Sequence, residues 1–176
     1  EIVRRSSDAE RSYFVGDSEV AHETLDKSGK TLEFSGAVPD GLVREFYKNG
    51  QLKFEEQWAG GQVNGCKKKY DELGRLWAEE SYKNGKLEGL VKIHNYFKDK
   101  VFEEEANFLG GQLHGVRKTF YPNGVLSVEE NYVNGKLNGA RKSYYENGNV
   151  NTDENYKDDK LTGIRKRCYD SGKVWL

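Results

Sequence analysis

The sequence predicts an all-β protein, in which tandem antiparallel β-hairpins form one long, twisted, single-layer sheet. Three observations support this fold class: a unit of about 24 residues recurs, each unit contains two turn sequences rich in Gly, Asn and Asp, and aromatic residues recur at fixed spacing. The segments between the turns are only about six to nine residues long. Segments of this length suit strands and are too short for ordinary helices.

The repeat is marked by a glycine that precedes a short basic segment, at Gly41, Gly65, Gly89, Gly115, Gly139 and Gly163. Successive intervals are 24, 24, 26, 24 and 24 residues, which divides 41–176 into five full units and a terminal half-unit. Residues 20–40 keep a turn glycine at Gly29 but are three residues shorter than a full unit, and we interpret them as a degenerate repeat. Residues 1–19 show little of the pattern and are expected to form an N-terminal arm or cap.

One turn of each unit ends in a structural glycine, at Gly50, Gly74, Gly124, Gly148 and Gly172. A two-residue type I′ turn would place Leu73 in a left-handed conformation, which is unfavourable for leucine. Pro122 suits the first corner of a type I turn. A three-residue turn closed by a glycine with positive φ accommodates both residues. The third unit lacks this glycine and has two extra residues, so we expect a longer, irregular turn at Lys98–Lys100.

Apolar and charged side chains recur in columns along the units. One aromatic column contains Trp58, Tyr82, Phe108, Tyr132 and Tyr156. A basic column contains Arg44, Lys68, Lys92, Lys118, Lys142 and Lys166. An acidic column contains Glu55, Glu79, Glu105, Glu129 and Asp153, and most units add a second acid beside it. We expect the aromatic columns to form apolar ridges and the charges to form cross-strand ion pairs that fix the register.

Composition and motifs argue against several classes of function. The 28 basic residues are matched by 29 acidic ones, which does not favour nucleic-acid binding. His22, His94 and His114 lie in different units without the spacing of a metal site, so we expect no metal and no cofactor. The Glu-Glu pairs recur in most units, whereas a catalytic pair of carboxylates is normally made once. The sequence therefore predicts that the protein is not an enzyme.

In order, the unit contains Gly, a basic pair, an aromatic pair, Asn-Gly, Leu, Glu-Glu, Tyr and Asn-Gly-Lys-Leu. This unit resembles the MORN repeat variant of bacterial YwqK-type antitoxin-like proteins. The resemblance extends over 41–176. It implies tandem antiparallel hairpins, no enzymatic activity and a role in binding other molecules. It also favours the cell envelope or secretion over the cytoplasm.

The leading functional hypothesis is a non-catalytic scaffold for protein–protein interaction. One alternative is an antitoxin or immunity protein that neutralises a partner toxin. Another is a membrane-surface or lipid-associated MORN protein, which is disfavoured because the dense Gly-x-Gly pattern of eukaryotic MORN repeats is missing.

The expected partner is another protein, and the expected binding site is the point where the repeat is broken. The candidate residues are His94, Tyr96, Phe97, Lys98 and Lys100. A tolerated insertion in a surface turn is the competing interpretation. The chain also stops midway through a hairpin at Val174–Leu176, which predicts an apolar, unpaired sheet edge. Such an edge would favour a homodimer or the continuation of a longer natural chain.

Overall fold

A computed structural model describes residues 1–175 as all-β, with sixteen strands and no helix in that range. The strands are β1 (Ile2–Ser6), β2 (Glu10–Val15), β3 (Ser18–Leu25), β4 (Thr31–Gly36), β5 (Gly41–Phe46), β6 (Leu52–Ala59), β7 (Gln62–Tyr70), β8 (Leu76–Lys83), β9 (Lys86–Leu87), β10 (Gly89–Phe97), β11 (Lys100–Leu109), β12 (Gln112–Phe120), β13 (Leu126–Val133), β14 (Lys136–Tyr144), β15 (Val150–Lys157) and β16 (Lys160–Arg167).

The predicted fold class is confirmed, because the strands build an open, mostly antiparallel sheet from tandem hairpins. The chain divides into two compact units, Glu1–Lys86 and Leu87–Leu176. The division therefore falls within the repeat array and not where the regular units begin.

In the first unit the strand order is β8-β7-β6-β5-β1-β2-β3-β4. Residues 1–19, the expected arm or cap, contain β1, β2 and the beginning of β3. Strand β1 pairs antiparallel with β2 and parallel with β5, where Ile2 lies opposite Val43. Because β1, β2 and β3 lie between them in the sheet, β4 and β5 are not neighbours, although they are consecutive in the chain.

The connection from β4 to β5 contributes to the main apolar core of the first unit. Val38, in this connection, is buried. It belongs to a cluster that contains Ile2, Tyr13, Ala21, Val38, Val43 and Trp58. Tyr13 and Trp58 meet edge to face, with their ring centroids 5.5 Å apart. The core thus joins the N-terminal strands to the first regular repeat.

In the second unit, β10 to β16 follow one another as antiparallel neighbours. The expected cross-strand ion pairs are confirmed in both units, since basic and acidic columns lie directly opposite each other. The nitrogen–oxygen distances run from 3.2 to 3.8 Å in the pairs Arg44–Glu55, Lys68–Glu79, Lys92–Glu105, Lys118–Glu129 and Lys142–Asp153. A slip of one residue would place these charges on the wrong face.

Two kinds of turn alternate along the array. The five turn glycines named above have φ between 78° and 86°. Each of these glycines donates its backbone N–H to the carbonyl three residues earlier, as Gly124 does to Tyr121 at 2.9 Å. At the other end of the strands lie two-residue turns such as Asn134-Gly135, where both residues have positive φ. Positive φ at both positions is the geometry of type I′ hairpins.

The expectation of a longer, irregular turn at Lys98–Lys100 was wrong. Strands β10 and β11 pair without any shift in register, from Gly89 opposite Phe108 to Phe97 opposite Lys100. The turn therefore consists of Lys98 and Asp99 alone, with Lys98 at a φ of 53°. Without the glycine that closes a bulge, the regular ladder continues, and the extra residues lengthen the strands instead.

Candidate functional site

The candidate residues of the third full unit lie around the end of the β10–β11 hairpin. His94, Tyr96 and Phe97 belong to β10, Lys98 lies in the turn, and Lys100 begins β11. Because successive residues of a strand point to opposite faces, His94 and Tyr96 share one face and Phe97 lies on the other. The structure thus divides the candidate residues between the two faces.

An aromatic pair occupies the face that carries Phe97. Phe97 lies opposite Lys100, and Phe102 lies opposite Asn95. The two phenylalanines are therefore diagonal neighbours on one face, with exposed fractions of 63% and 37%. Lys98 places its Nζ 5.6 Å from the centre of the Phe97 ring. We call Phe97, Lys98, Lys100 and Phe102 the aromatic tip.

The other face of this hairpin is more polar. His94 Nδ1 lies 3.3 Å from the Glu103 Oε1 atom, directly across the strands. Tyr96 lies opposite Val101 and is half-buried. These side chains form a second small surface. The sequence predicted one site that contained residues of both surfaces.

Phe102 was missed as a candidate because it aligns in the sequence with leucines such as Leu126. Leu126 follows a register shift and lies opposite Phe120. Because β10 and β11 pair without that shift, Phe102 falls on the face opposite to the one its column predicts. The missing turn glycine was the signal in the sequence that could have revealed this change.

Hydrogen bonds between neighbouring turns were also missed. The hydroxyl groups of Tyr47, Tyr121 and Tyr145 donate to backbone carbonyls 23 residues later, at 2.8 to 2.9 Å. Three asparagine side chains make equivalent bonds, at Asn49, Asn123 and Asn147. The third unit has Asn95 at the tyrosine position, and its side chain makes no such bond within residues 1–175. The aromatic tip is therefore not held by this network.

A row of buried glutamates, the second acids of the units, runs along the face that carries the aromatic tip. Glu130 accepts hydrogen bonds from Arg117 Nη1 at 2.8 Å, from Arg141 Nε at 2.9 Å and from the Tyr132 hydroxyl at 3.1 Å. Glu154 continues the row with Arg141, Tyr156 and Arg165. We call this row the carboxylate ladder.

Within the carboxylate ladder, Glu130 accepts hydrogen bonds from two arginines and one tyrosine hydroxyl. Burial alone would raise the pKa of Glu130, but hydrogen bonds from Arg117, Arg141 and Tyr132 hold it below its ordinary value. A carboxylate in this state is a poor proton donor at neutral pH. Glu130 is thus suited to holding neighbouring strands in register rather than to acid–base chemistry.

Neither a metal centre nor a membrane-spanning helix is found in the part of the chain that the structure describes. Within residues 1–175, no group of three His, Cys, Asp or Glu side chains is close enough to hold a metal ion. The same residues contain no helix with the length and apolar character needed to cross a membrane.

These features define an all-β repeat protein in which basic and acidic columns form cross-strand ion pairs. Four segments match the model of the MORN repeat variant, at residues 39–59, 63–84, 113–134 and 137–158. No curated protein matches the chain in a sequence comparison. The aromatic tip lies outside the matched segments, and the assignment to YwqK-type antitoxin-like proteins stays a hypothesis.

Proposed function

We propose that the protein is a non-catalytic scaffold that binds another protein through the aromatic tip. The observation that carries this proposal is the exposed pair Phe97 and Phe102, on a hairpin that departs from the repeat pattern. Aromatic side chains supply much of the binding energy at protein interfaces, and exposing them to water is unfavourable without a partner. A partner that covers both rings would bury apolar area beside two lysines.

An antitoxin or immunity role is a particular case of this proposal, with a toxin as the partner. A lipid-associated role would call for a surface that is uniformly basic. At the aromatic tip, Asp99 lies between Lys98 and Lys100, so a protein partner fits the local charge better.

The test compares partner capture by the wild-type protein with capture by Phe97→Ser. The proteins that co-purify from the source organism are quantified by mass spectrometry. We expect Phe97→Ser to reduce capture of the main partner at least tenfold, or ~1.4 kcal/mol, because the exposed ring is lost. Leu109→Ser is the matched control, since Leu109 ends β11, the other strand of the same hairpin, far from the turn, and is 51% exposed.

Tyr96→Ala is measured separately, because Tyr96 lies on the opposite face from Phe97. The urea midpoint of Phe97→Ser should equal that of the wild type within error. Equal capture by the wild type and Phe97→Ser would contradict the proposal. A large fall in the midpoint would instead assign Phe97 to stability.

A further inference from the structure

A second exposed feature lies in the first unit, at strand β4. This strand is hydrogen-bonded to β3 on one side and is the last strand in the order of its sheet. All six of its residues are exposed, and Leu32 and Phe34 are exposed by 64% and 50%. The outer side of β4 therefore presents unpaired backbone groups flanked by apolar side chains.

The free edge of β4 results from the internal topology of the unit. In the regular repeats, the second strand of one unit pairs with the first strand of the next, as β6 does with β7. Strand β1 takes the corresponding position beside β5, which displaces β4 to the edge. Edge strands are usually protected by lysine, proline or a covering segment, whereas β4 contains neither lysine nor proline.

A groove of about 530 Å³ lies beneath this edge. Phe34 and Thr31 of β4 form one wall, and Trp58 and Val63 contribute from β6 and β7. Phe34 lies opposite Glu23 in the register, and Glu23 also lines the groove. Phe34, Trp58 and Val63 are the apolar part of a lining that also includes Arg4, Arg11 and Lys67, and an apolar side chain of an added strand would pack against this apolar part.

The opposite face of β4 carries a charge without a partner. Glu33 is the one charged residue of the strand, and it lies opposite Thr24. Its carboxylate makes no ion pair or hydrogen bond with the rest of residues 1–175. Glutamates of the regular repeats have a basic residue across the strand, as Glu129 has Lys118. An added strand with a basic residue at this position would complete the pairing.

We propose that β4 is a docking edge for an extended segment of a partner protein in which a basic residue stands between two apolar residues. The segment adds a strand beside β4 through backbone hydrogen bonds. Its apolar side chains point toward Phe34 and the groove, and its basic side chain pairs with Glu33. This surface is separate from the aromatic tip and stands independently of it.

The test uses two synthetic peptides, acetyl-TVKVTV-amide and acetyl-TVEVTV-amide, titrated into the ¹⁵N-labelled protein. We expect the lysine peptide to bind at least tenfold more tightly than the glutamate peptide, and to shift the amide signals of Leu32, Glu33 and Phe34. In the Glu33→Lys variant the preference should reverse. Glu10→Lys, at an exposed position on β2, is the control and should keep the original preference.

Three outcomes would overturn the proposal. Binding of neither peptide, or equal binding of both by the wild type, would show that the edge does not recognise a basic strand. Sedimentation of the protein without peptide tests whether a second copy of the chain occupies this edge. Self-association that Glu33→Lys abolishes would assign the edge to a second copy of the chain instead.

Discussion

Tyr121 illustrates how one hydroxyl group joins neighbouring turns. Its O–H donates to the carbonyl of Tyr144 at 2.8 Å, and the same bond recurs from Tyr47 and Tyr145. Tyr47, Tyr121 and Tyr145 recur at one position of the repeat, but recurrence alone does not distinguish a packed ring from a hydrogen-bonding hydroxyl. The bond depends on the distance between two turns, which the spacing of residues does not give.

Tyr121→Phe should lower the free energy of unfolding by about 1 kcal/mol. The change keeps the ring and removes the donor, which leaves the Tyr144 carbonyl without this bond. Urea unfolding of both proteins measures the difference. Tyr169→Phe is the matched control, because Tyr169 occupies the same column and is 51% exposed. Equal losses in both variants would show that the hydroxyl bond contributes nothing.

At the scale of strands, the carboxylate ladder and the surface ion pairs lie on opposite faces of the same strands. Glu129 pairs with Lys118 on one face, and the adjacent Glu130 is buried with Arg117 and Arg141 on the other. The expected apolar ridge that contains Tyr132 therefore shares its face of the sheet with Glu130 and its arginine partners. Burial of an ion pair requires that its hydrogen bonds be satisfied, and Glu130 meets this condition with three donors.

Glu130→Gln should lower the free energy of unfolding by about 3 kcal/mol, because two arginines lose their buried carboxylate partner. Glu129→Gln is the matched control and should cost no more than about 1 kcal/mol, since its pair is partly exposed. Urea unfolding at neutral pH measures both. Similar losses in the two variants would contradict a special role for the buried position.

The pH dependence of stability follows from the same residue. The pKa of Glu130 is lowered in the folded protein, as are those of Glu23 and Glu45. Ionisation of these groups therefore stabilises the fold above their ordinary value of about 4.5, and this contribution is lost as the pH falls through the lower folded values. The stability difference between the wild type and Glu130→Gln should accordingly shrink in acid. A difference independent of pH would contradict this assignment.

Local patterns in the sequence were sufficient to predict the hairpins and the opposing charge columns, but the irregular turn expected in the third unit is a regular two-residue turn. They did not predict that Phe102 changes face. The face of Phe102 depends on whether a bulge forms at the turn between β10 and β11. They also did not predict the position of β1, since its parallel pairing with β5 joins segments far apart in the sequence. The role of the candidate residues in binding stays a prediction, and their division between two faces could be seen only in the structure.

At the scale of the molecule, the C-terminal edge differs from the expected apolar one. Val174 forms an antiparallel β-bridge with Cys168, and the backbone N–H of Trp175 donates to the backbone carbonyl of Arg167 at 2.7 Å. Leu176, the last residue of the expected edge, lies outside the described residues. Strand β16 itself is exposed throughout and carries Arg165 and Lys166 on its two faces. The edge is therefore basic along much of its length.

A homodimer through this edge remains a prediction, and the structure adds a condition to it. Two copies of β16 would bring like charges together, so the dimer should be favoured by high salt, which screens the repulsion. Sedimentation velocity at low and high salt, over a range of concentrations, measures the dimer fraction. A monomer under all of these conditions would rule out the dimer.

The parallel strand β1 has a consequence for the order in which the chain is synthesised. Each regular hairpin pairs with segments that emerge close together, so it can form as soon as its second strand is available. Strand β1 pairs with β2 early, but the position between β2 and β5 is complete only after Val43 and its neighbours have been translated. The first strand to be made thus gains its second neighbour only after β2, β3 and β4, which follow it in the chain, have all of theirs.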